Sequence, residues 1–379
     1  MKILYNIAGT YRSGGMERVL ANKANWLARN GYEVIIVTTD QREKQPFFPL
    51  DARIVCYDLN IGYEENNGKS IINKLVHYPI KQYKHRRRLE VLLHKIKPDI
   101  TISMMCNDVS FLPHIKDGSK KILEIHFSKF KRLQYARKGL WKIADVYRTL
   151  QEEKYVRQFD RFVVLTEEDK GYWGDICNMQ VIPNSRTYTF EKPAALENKV
   201  VIAIGRYDYQ KGFDQLIEAW AIVGKRFTDW KLEIVGDGDL RSEMMKQISS
   251  KGLNEQIVLK SVSANEMVEV YMNASIFVLS SRYEGLPMVL LEAQAAGLPI
   301  VSFACKCGPK DVIKDGVDGF LVEEGNVVTL ADRLMSLMEG DAIRKRMGSV
   351  AFSRSDRYAE ESIMAQWVNL FENVLKNNE

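Results

Sequence analysis

A chain of 379 residues is too long for one compact core and suits two domains, and 46 % apolar with 27 % charged residues excludes a disordered or fibrous protein. No apolar run nears the ~20 residues that span a bilayer. The five cysteines, Cys56, Cys106, Cys177, Cys305 and Cys307, are odd in number and lack metal-ligand spacing, so buried or partly buried free thiols are expected instead of a disulfide framework.

Charge is unevenly placed. Residues 1–180 carry 31 Lys and Arg against 21 Asp and Glu, a net +10, and the remaining residues carry 23 against 28. The formal +5 thus conceals a basic first half, which suits an anionic partner: nucleic acid, a membrane surface or an anionic acceptor.

Met1–Ala8 begins a strand and has no small-residue cleavage site, so a cytoplasmic protein is expected. Lys2–Ala8 reads as strand, Gly9–Gly15 as loop, Met16–Arg29 as helix closed by Asn30-Gly31, and Tyr32–Thr39 as strand. The glycine loop of this βαβ unit lies at the carboxyl end of its first strand, where open parallel sheets bind ligands. It matches neither a G-x-G-x-x-G fingerprint nor a Walker A loop, having Gly15 and Met16 where the latter needs Lys and then Ser or Thr. Taken alone, Gly14-Gly15 reads as readily as a tight start to the helix.

Residues 40–80 carry few periodic signals, and Gly62–Lys69 is a polar loop. Tyr83–Ile96 is a basic helix in which Lys84, His85, Arg86, Arg87 and Arg88 form either a solvated face or an anion-binding one. Pro98–Ser103 and Lys121–His126 are strands. His126 stands at a strand end on the ligand side, a place that fits a functional histidine as well as a structural one. Beyond it Lys129, Lys131, Arg132, Arg137 and Lys138 alternate with Phe130, Leu133, Tyr135, Leu140 and Trp141, a stretch suited to a headgroup layer. Asp160–Leu165 is a strand, Thr166–Asp169 starts a helix, Val181–Asn184 closes the first domain, and Thr187–Asn198 is the expected linker.

Val200–Ile204 restarts the strand-helix alternation and argues for a second doubly wound domain. Arg206 and Lys211, five residues apart on the loop that follows, are spaced to converge on a diphosphate, one as a planar fork and the other as a point charge. Lys231–Gly238 is a strand and tight turn, and Ile257–Lys260 leads into Ser261-Val262-Ser263. Ile276–Leu279 is a buried strand, Gly285 and Pro287 punctuate a turn, and Met288–Ala296 is a helix whose first N–H groups are free for an anion. Glu284 precedes the turn and Glu292 follows seven residues later. Singly, these acids read as a helix-start charge and a solvated one. Together they can accept from two sets of hydroxyls, which a nucleotide sugar, a diphosphate between two polyols, offers. Tyr358–Lys376 is the last helix, with Trp367, Leu370, Phe371 and Val374 on its apolar face.

The run from Glu284-Gly-Leu-Pro-Met-Val-Leu-Leu-Glu292 through Ala-Gln-Ala-Ala-Gly-Leu-Pro-Ile-Val301 resembles the signature of family 4 glycosyltransferases, retaining enzymes of the GT-B fold. The resemblance implies an α/β protein with two Rossmann-like doubly wound domains facing each other across a cleft: residues 1–186 on the acceptor side, 187–357 on the donor side, and a terminal helix at about 358–379 packing back on the first. Gly14-Gly15-Met16-Glu17-Arg18 resembles the family's glycine loop, which faces the donor phosphates and the acceptor. His126 corresponds to a histidine near the transferred sugar, although Phe127 stands where the family has an acid, and Asn184-Ser185-Arg186 departs from the family's Asn-Gly-Val/Ile.

Gly205-Arg206 with Lys211-Gly212 matches the family's diphosphate motif. Gly236 would lie beside the nucleotide, Ser261, Val262 and Ser263 would meet the base, and Gly285, Leu286, Pro287 and Met288 would face the donor. Glu284 would hold sugar hydroxyls and Glu292 the ribose. The catalytic set implied is thus His126, Glu284, Arg206 and Lys211.

Asp237-Gly-Asp239 is turn chemistry in this family, no metal is expected, and no cofactor is needed beyond a UDP- or GDP-sugar co-substrate. The acceptor expected is a hydroxyl of a growing surface glycan or lipid-linked saccharide. That implies peripheral contact with an anionic membrane, at the cytoplasmic face of the inner membrane, and no nucleic acid. The residues leave open another enzyme on the same fold, such as a nucleotide-sugar epimerase or a phosphorylase, and a non-catalytic protein that binds an anion or nucleic acid.

Overall fold

Short apolar runs separated by helices pair into two wholly parallel sheets, one in each half of the chain. The computed structural model describes residues 1–66, 71–134 and 139–376. It divides into two units, Met1–Leu165 with Lys170–Ile182 and Met364–Glu379, and Thr166–Asp169 with Pro183–Ile363. Both are Rossmann-like α/β units.

The first unit holds β1 (Lys2–Ile7), β2 (Glu33–Thr38), β3 (Val55–Asp58), β4 (Ile100–Ser103), β5 (Lys120–Glu124), β6 (Arg161–Val164) and β7 (Met179–Val181), in the order β3-β2-β1-β4-β5-β6-β7. Ile3, Leu4, Tyr5 and Ile7 of β1 are all buried, as expected of a central parallel strand covered on both faces. Leu4, Val37, Leu89, Leu123, Phe162 and Val164 belong to one core. The helix Gly15–Arg29 follows β1 and buries Val19, Leu20, Lys23, Ala24 and Leu27, so one position of its core-facing stripe is a lysine. The last helix, Glu360–Lys376, buries Trp367, Leu370, Phe371 and Val374.

Two elements differ from the sequence reading. Strand β3 arises where no pattern was visible: its four residues are all exposed, and pairing with β2, from Ile35↔Val55 to Thr38↔Asp58, defines it. The basic helix begins at Ile71 and not Tyr83, with Pro79 inside it.

The cluster Lys84–Arg88 is not one basic face. Helical rotation buries His85 completely, beside Tyr63 and Phe111, and burial lowers its imidazole to about 3. Lys84 and Arg88 bond the carbonyls of Asn60 and Leu59, and Arg86 and Arg87 remain exposed. In the later basic stretch Lys129 pairs with Glu153 and Arg132 with Glu152, both at 2.6 Å. Tyr135, Arg137 and Lys138 lie outside the described residues.

The second unit holds β8 (Val200–Ile204), β9 (Lys231–Val235), β10 (Ile257–Lys260), β11 (Ile276–Leu279), β12 (Ile300–Phe303) and β13 (Gly319–Val322), in the order β10-β9-β8-β11-β12-β13. Leu216, Trp220, Ile234, Val278, Val301 and Phe303 share its core. The helix Met288–Ala295 is buried from Leu290 to Ala295, which explains why its sequence has no amphipathic period.

Thr187–Asn198 is not a free linker. Phe190, Ala194 and Leu196 are buried in the second unit, and the Ala194 N–H donates to Ala296 O at 2.8 Å. The cysteines also divide: Cys305 and Cys307 are buried and Cys106 is partly so, but Cys56, on the exposed β3, and Cys177 are exposed. Among the described residues no helix is long and apolar enough to cross a membrane.

Candidate active site

In the second unit the strand order reverses between β8 and β11, the switch point at which open parallel sheets take ligands beyond the strand ends. After β8, Asp208 accepts from the Lys211 N–H and shapes a single turn, Tyr209–Lys211. Gly212, at φ 63°, then directs the chain into the helix Phe213–Val223. A Cβ at this position would stand 2.2 Å from the Ser280 carbonyl oxygen, so glycine lets the loop after β8 press on the one after β11. The lysine stem folds back over Gly205, and its Nζ lies 2.7 Å from Glu284 Oε1.

Glu284 is 7 % exposed and accepts further hydrogen bonds from Ser281 Oγ at 2.7 Å and Gln210 Nε2 at 3.2 Å. Its own N–H donates to Lys306 O at 2.7 Å, tying this loop to the one after β12. Arg206 does not converge with Lys211. Its side chain is 73 % exposed and pairs with Asp208 at 3.1 Å, while that of Lys211 is 14 % exposed and pairs with Glu284.

The other predicted donor residues of the second unit lie on the loops after β9, β10 and β11 and on the helix Met288–Ala295. Gly236 crosses so close to the loop after β8 that a Cβ would lie 1.9 Å from Gly205 O, and Ser261 Oγ donates to Gly236 O at 3.1 Å. Ser263 donates through its N–H and hydroxyl to Glu266, and Val262 between the serines is half-buried. The Asp237 carboxylate accepts from the Gly238 N–H, turn chemistry as read from the sequence. Leu286 and Pro287 are buried, Gly285 and Met288 half-buried, and the helix from Met288 starts directly after them. Glu292 is 5 % exposed and accepts from the buried Tyr271 hydroxyl at 2.7 Å, a different partner set from that of Glu284.

In the first unit the order reverses between β1 and β4. Gly14 precedes the helix Gly15–Arg29, and its carbonyl accepts from the Arg18 N–H. A side chain at Gly14 would meet only the end of Glu17, and one at Gly15 would meet nothing within 4 Å. The fold itself therefore requires neither glycine, and the space beside them is open.

His126 lies two residues beyond β5 with its side chain 5 % exposed, Nε2 3.1 Å from Glu124 Oε1. Nε2 thus faces the Glu124 carboxylate, while Nδ1 is buried with no hydrogen-bond partner among the described residues. Beyond β4, buried Asp108 accepts from Asn6 Nδ2 at 2.6 Å and Ser103 Oγ at 2.7 Å. Burial raises its carboxyl to about 6 against those two donors.

Residues 13–185 match the family model described as Glycosyltransferase Family 4, and residues 184–354 that described as Glycosyl transferases group 1. An uncharacterised glycosyltransferase of Haemophilus influenzae is 31 % identical over 371 residues, spanning 97 % of this chain and 98 % of its own. This chain belongs to the family 4 glycosyltransferases.

A second relative of this glycosyltransferase is a Campylobacter jejuni α-1,4-N-acetyl-D-galactosaminyltransferase named for a substrate that ends in PP-undecaprenol; it is 28 % identical over 382 residues and 99 % of each chain is covered. A crystal structure of a Staphylococcus aureus TarM mutant with fondaparinux, α-GlcNAc-glycerol and UDP aligns with a TM-score of 0.76 at 19 % identity, over 98 % of this chain and 99 % of that one. That likeness shows the GT-B fold. Lys211 and Glu284, which the sequence placed in separate motifs, meet at 2.7 Å, and Gly212 packs on the Ser280 carbonyl, whereas Arg206 pairs with Asp208. Sequence reasoning missed Ser281, Gln210 and Tyr271, which hold the two acids, and the pair Lys23–Glu124 beside His126. Only Lys23 left a signal, as a charge on the apolar stripe of its helix.

Proposed function

We propose that this glycosyltransferase moves a sugar from a nucleoside-diphosphate donor, a UDP- or GDP-sugar, to a hydroxyl of a surface glycan or lipid-linked saccharide, with retention of configuration and without a metal ion. The observation that carries the proposal is the Lys211–Glu284 pair at the β8/β11 switch point, beside the N-terminus of the helix Met288–Ala295. As the bond from C1 to the diphosphate breaks and a bond from C1 to the acceptor oxygen forms, negative charge grows on the diphosphate. Lys211, the exposed arm of Arg206 and the first N–H groups of the helix are the charge-stabilising groups. Glu284, with its ring of donors, is the acceptor for sugar hydroxyls, Glu292 serves the ribose, and His126 serves the transferred sugar. Retention is the chemistry that the resemblance to the family implies.

The acceptor half of the proposal rests on the first unit. The helix Ile71–Ile96 carries seven Lys and Arg against one Glu, and Ile80, Tyr83, Arg87 and Val91 are exposed at helical spacing along it. On the helix Leu140–Val156, Ile143, Tyr147 and Leu150 are likewise exposed. Apolar and basic side chains on shared helix faces suit an anionic bilayer surface, where a lipid-linked acceptor resides.

The test is a thermal-shift screen over nucleoside diphosphates and their sugars, followed by transfer assays with the donor that stabilises the protein, in excess chelator. Donor consumption under chelator supports the proposal. Stabilisation by no nucleoside diphosphate, or activity abolished by chelator and restored by Mg²⁺ or Mn²⁺, contradicts it.

A further inference from the structure

We propose that a cavity between the strands β2 and β3 and the connection that joins them is a saccharide subsite, which holds a neutral hexose or N-acetylhexosamine unit of the acceptor beyond the sugar that reacts. Its assignment to the acceptor rests on the function proposed above, and the site itself on the geometry of the first unit.

A crossover between parallel strands usually lays a helix on the sheet. The one from β2 to β3, residues 39–54, forms none. Ile35 and Val37 belong to the core on one face of β2. Ile36 and Thr38, on the other face and paired with Cys56 and Asp58, line a cavity of about 530 Å³ under the connection. Small-molecule sites enclose ~300–1,000 Å³.

The roof of the cavity is tied down on two sides. Gln41 Oε1 accepts from the Thr10 N–H at 2.9 Å and from its hydroxyl at 3.1 Å, and the Phe47 N–H donates to Thr10 O at 2.9 Å. From the first helix Asn25 donates to Pro49 O at 2.9 Å and accepts from the Asp51 N–H at 2.7 Å, and the Arg18 guanidinium lies 4.4 Å from the ring centre of Phe48. A cavity held in this way exists before a ligand arrives, so binding is spared the cost of ordering a loop.

The lining is amphipathic, as a sugar ring is. Ile36, Pro46, Leu50 and Ile54 offer apolar surface to the C–H face of a ring, and Tyr57 an aromatic one. The Thr38 hydroxyl and the Asn60 N–H both donate to Asp58 Oδ1, at 3.2 and 3.1 Å, which leaves Oδ2 to accept from hydroxyls of a ligand. Of the other charged side chains in the lining, Asp51 is paired with Arg53, and Lys44 balances Asp58. No excess of positive charge selects a phosphate, and a neutral polyol fits the set.

Thr10, in the wall, belongs to the glycine loop after β1, and β1 stands between the cavity and the β1/β4 switch point. A sugar in the cavity is therefore a neighbour of the reacting unit and not that unit itself.

The experiment uses Cys56, an exposed thiol in the lining, as the reporter. The full chain is alkylated with iodoacetamide alone and with methyl glycosides, disaccharides and trisaccharides of glucose, galactose, N-acetylglucosamine and N-acetylgalactosamine, and the modified peptides are quantified by mass spectrometry. Cys177, exposed and outside the lining, is the internal control. At least one saccharide should slow alkylation of Cys56 saturably and leave Cys177 unaffected. Asp58→Ala, checked for folding by its melting temperature, should raise the midpoint of that protection by roughly 10- to 100-fold. In transfer assays it should raise KM for acceptors of two or more sugars by a similar factor, with kcat and the donor KM unchanged.

Protection of Cys56 by no saccharide, or by inorganic phosphate alone, overturns the inference, as does an unchanged midpoint in folded Asp58→Ala. If that variant does not fold, the wild-type protection decides. Sugar transfer without protection refutes the subsite and leaves the function standing. Protection by a saccharide in a protein that transfers sugar from no donor refutes the function and leaves the saccharide site standing.

Discussion

In a Lys211→Met variant the Glu284 carboxylate keeps its hydrogen bonds from Ser281 at 2.7 Å and Gln210 at 3.2 Å but loses the cation 2.7 Å away. At an effective dielectric of about 20, a unit pair at that distance attracts by ~6 kcal/mol. Much of this offsets the cost of withdrawing both charges from water, and removing one partner of a buried pair typically destabilises by ~3–5 kcal/mol. Two remaining donors and the 14 % exposure of the lysine set the expectation at the lower end, ~3 kcal/mol. For a unit of this size the loss corresponds to a fall of ~6–12 °C in melting temperature. Lys211→Met/Glu284→Gln removes both charges and should recover most of that fall while remaining inactive. Differential scanning calorimetry paired with titration of nucleoside diphosphate separates the two effects. A single variant that melts with wild type and binds the nucleotide as tightly would refute the reasoning.

Arg206→Ala, in contrast, should leave the melting temperature unchanged, since the side chain is 73 % exposed and its pair with Asp208 lies at the surface. It should weaken nucleoside diphosphate binding by roughly 10- to 100-fold, the loss of a charge-assisted contact of about 1.5–3 kcal/mol; unchanged binding would remove it from the site. Asp108 gives a pH test: its carboxyl stands at about 6 in the fold, above its ordinary 3.8, so the stability it contributes is complete below the ordinary value and is lost as pH rises through about 6. Urea unfolding should show that decline for wild type and a flatter profile for Asp108→Asn; identical profiles would show that Asp108 does not titrate there. For the membrane, co-sedimentation with phosphatidylglycerol vesicles should exceed that with phosphatidylcholine and fall as salt rises. Arg86→Glu/Arg87→Glu should reduce it, each cation near the surface being worth about 1 kcal/mol. Equal, salt-independent sedimentation with both lipids would return the exposed helix faces to solvent.

The strands that position the site were legible because their apolar residues are buried and small or turn-forming residues follow them: β1, β8, β9 and β11 all lie within a residue or two of the sequence reading. Strand β3 was not legible, because an exposed edge strand has no burial pattern to print on its residues. The helix Ile71–Ile96 was read twelve residues short because residues 40–80 carry few periodic signals; Pro79 lies inside it, its φ being compatible with a helix that gives up one hydrogen bond.

The site divides in the same way. Lys211 and Glu284 lie in local motifs whose spacing carries meaning. Lys23 and Glu124 are separated by 101 positions, and only the tertiary fold brings the long lysine side chain to the end of β5. The charge cluster at 84–88 misled for the converse reason: adjacency in sequence places successive helical residues about 100° apart, so one of five, His85, turned into the core. Composition could not show that Lys129 and Arg132 have acidic partners on the next helix.

The central claim, transfer with retention from a nucleoside-diphosphate sugar at the Lys211–Glu284 site, is tested most directly by the anomeric configuration of the product. The donor identified by thermal shift, labelled with ¹³C in its sugar, is incubated with enzyme and a lipid-linked or soluble saccharide acceptor in excess chelator, and the one-bond C1–H1 coupling of the new glycoside is read by NMR. The account predicts the coupling of the donor's own anomer, with release of nucleoside diphosphate, and no product from Lys211→Met. A product of the opposite anomer, or undiminished transfer by that variant, would contradict it.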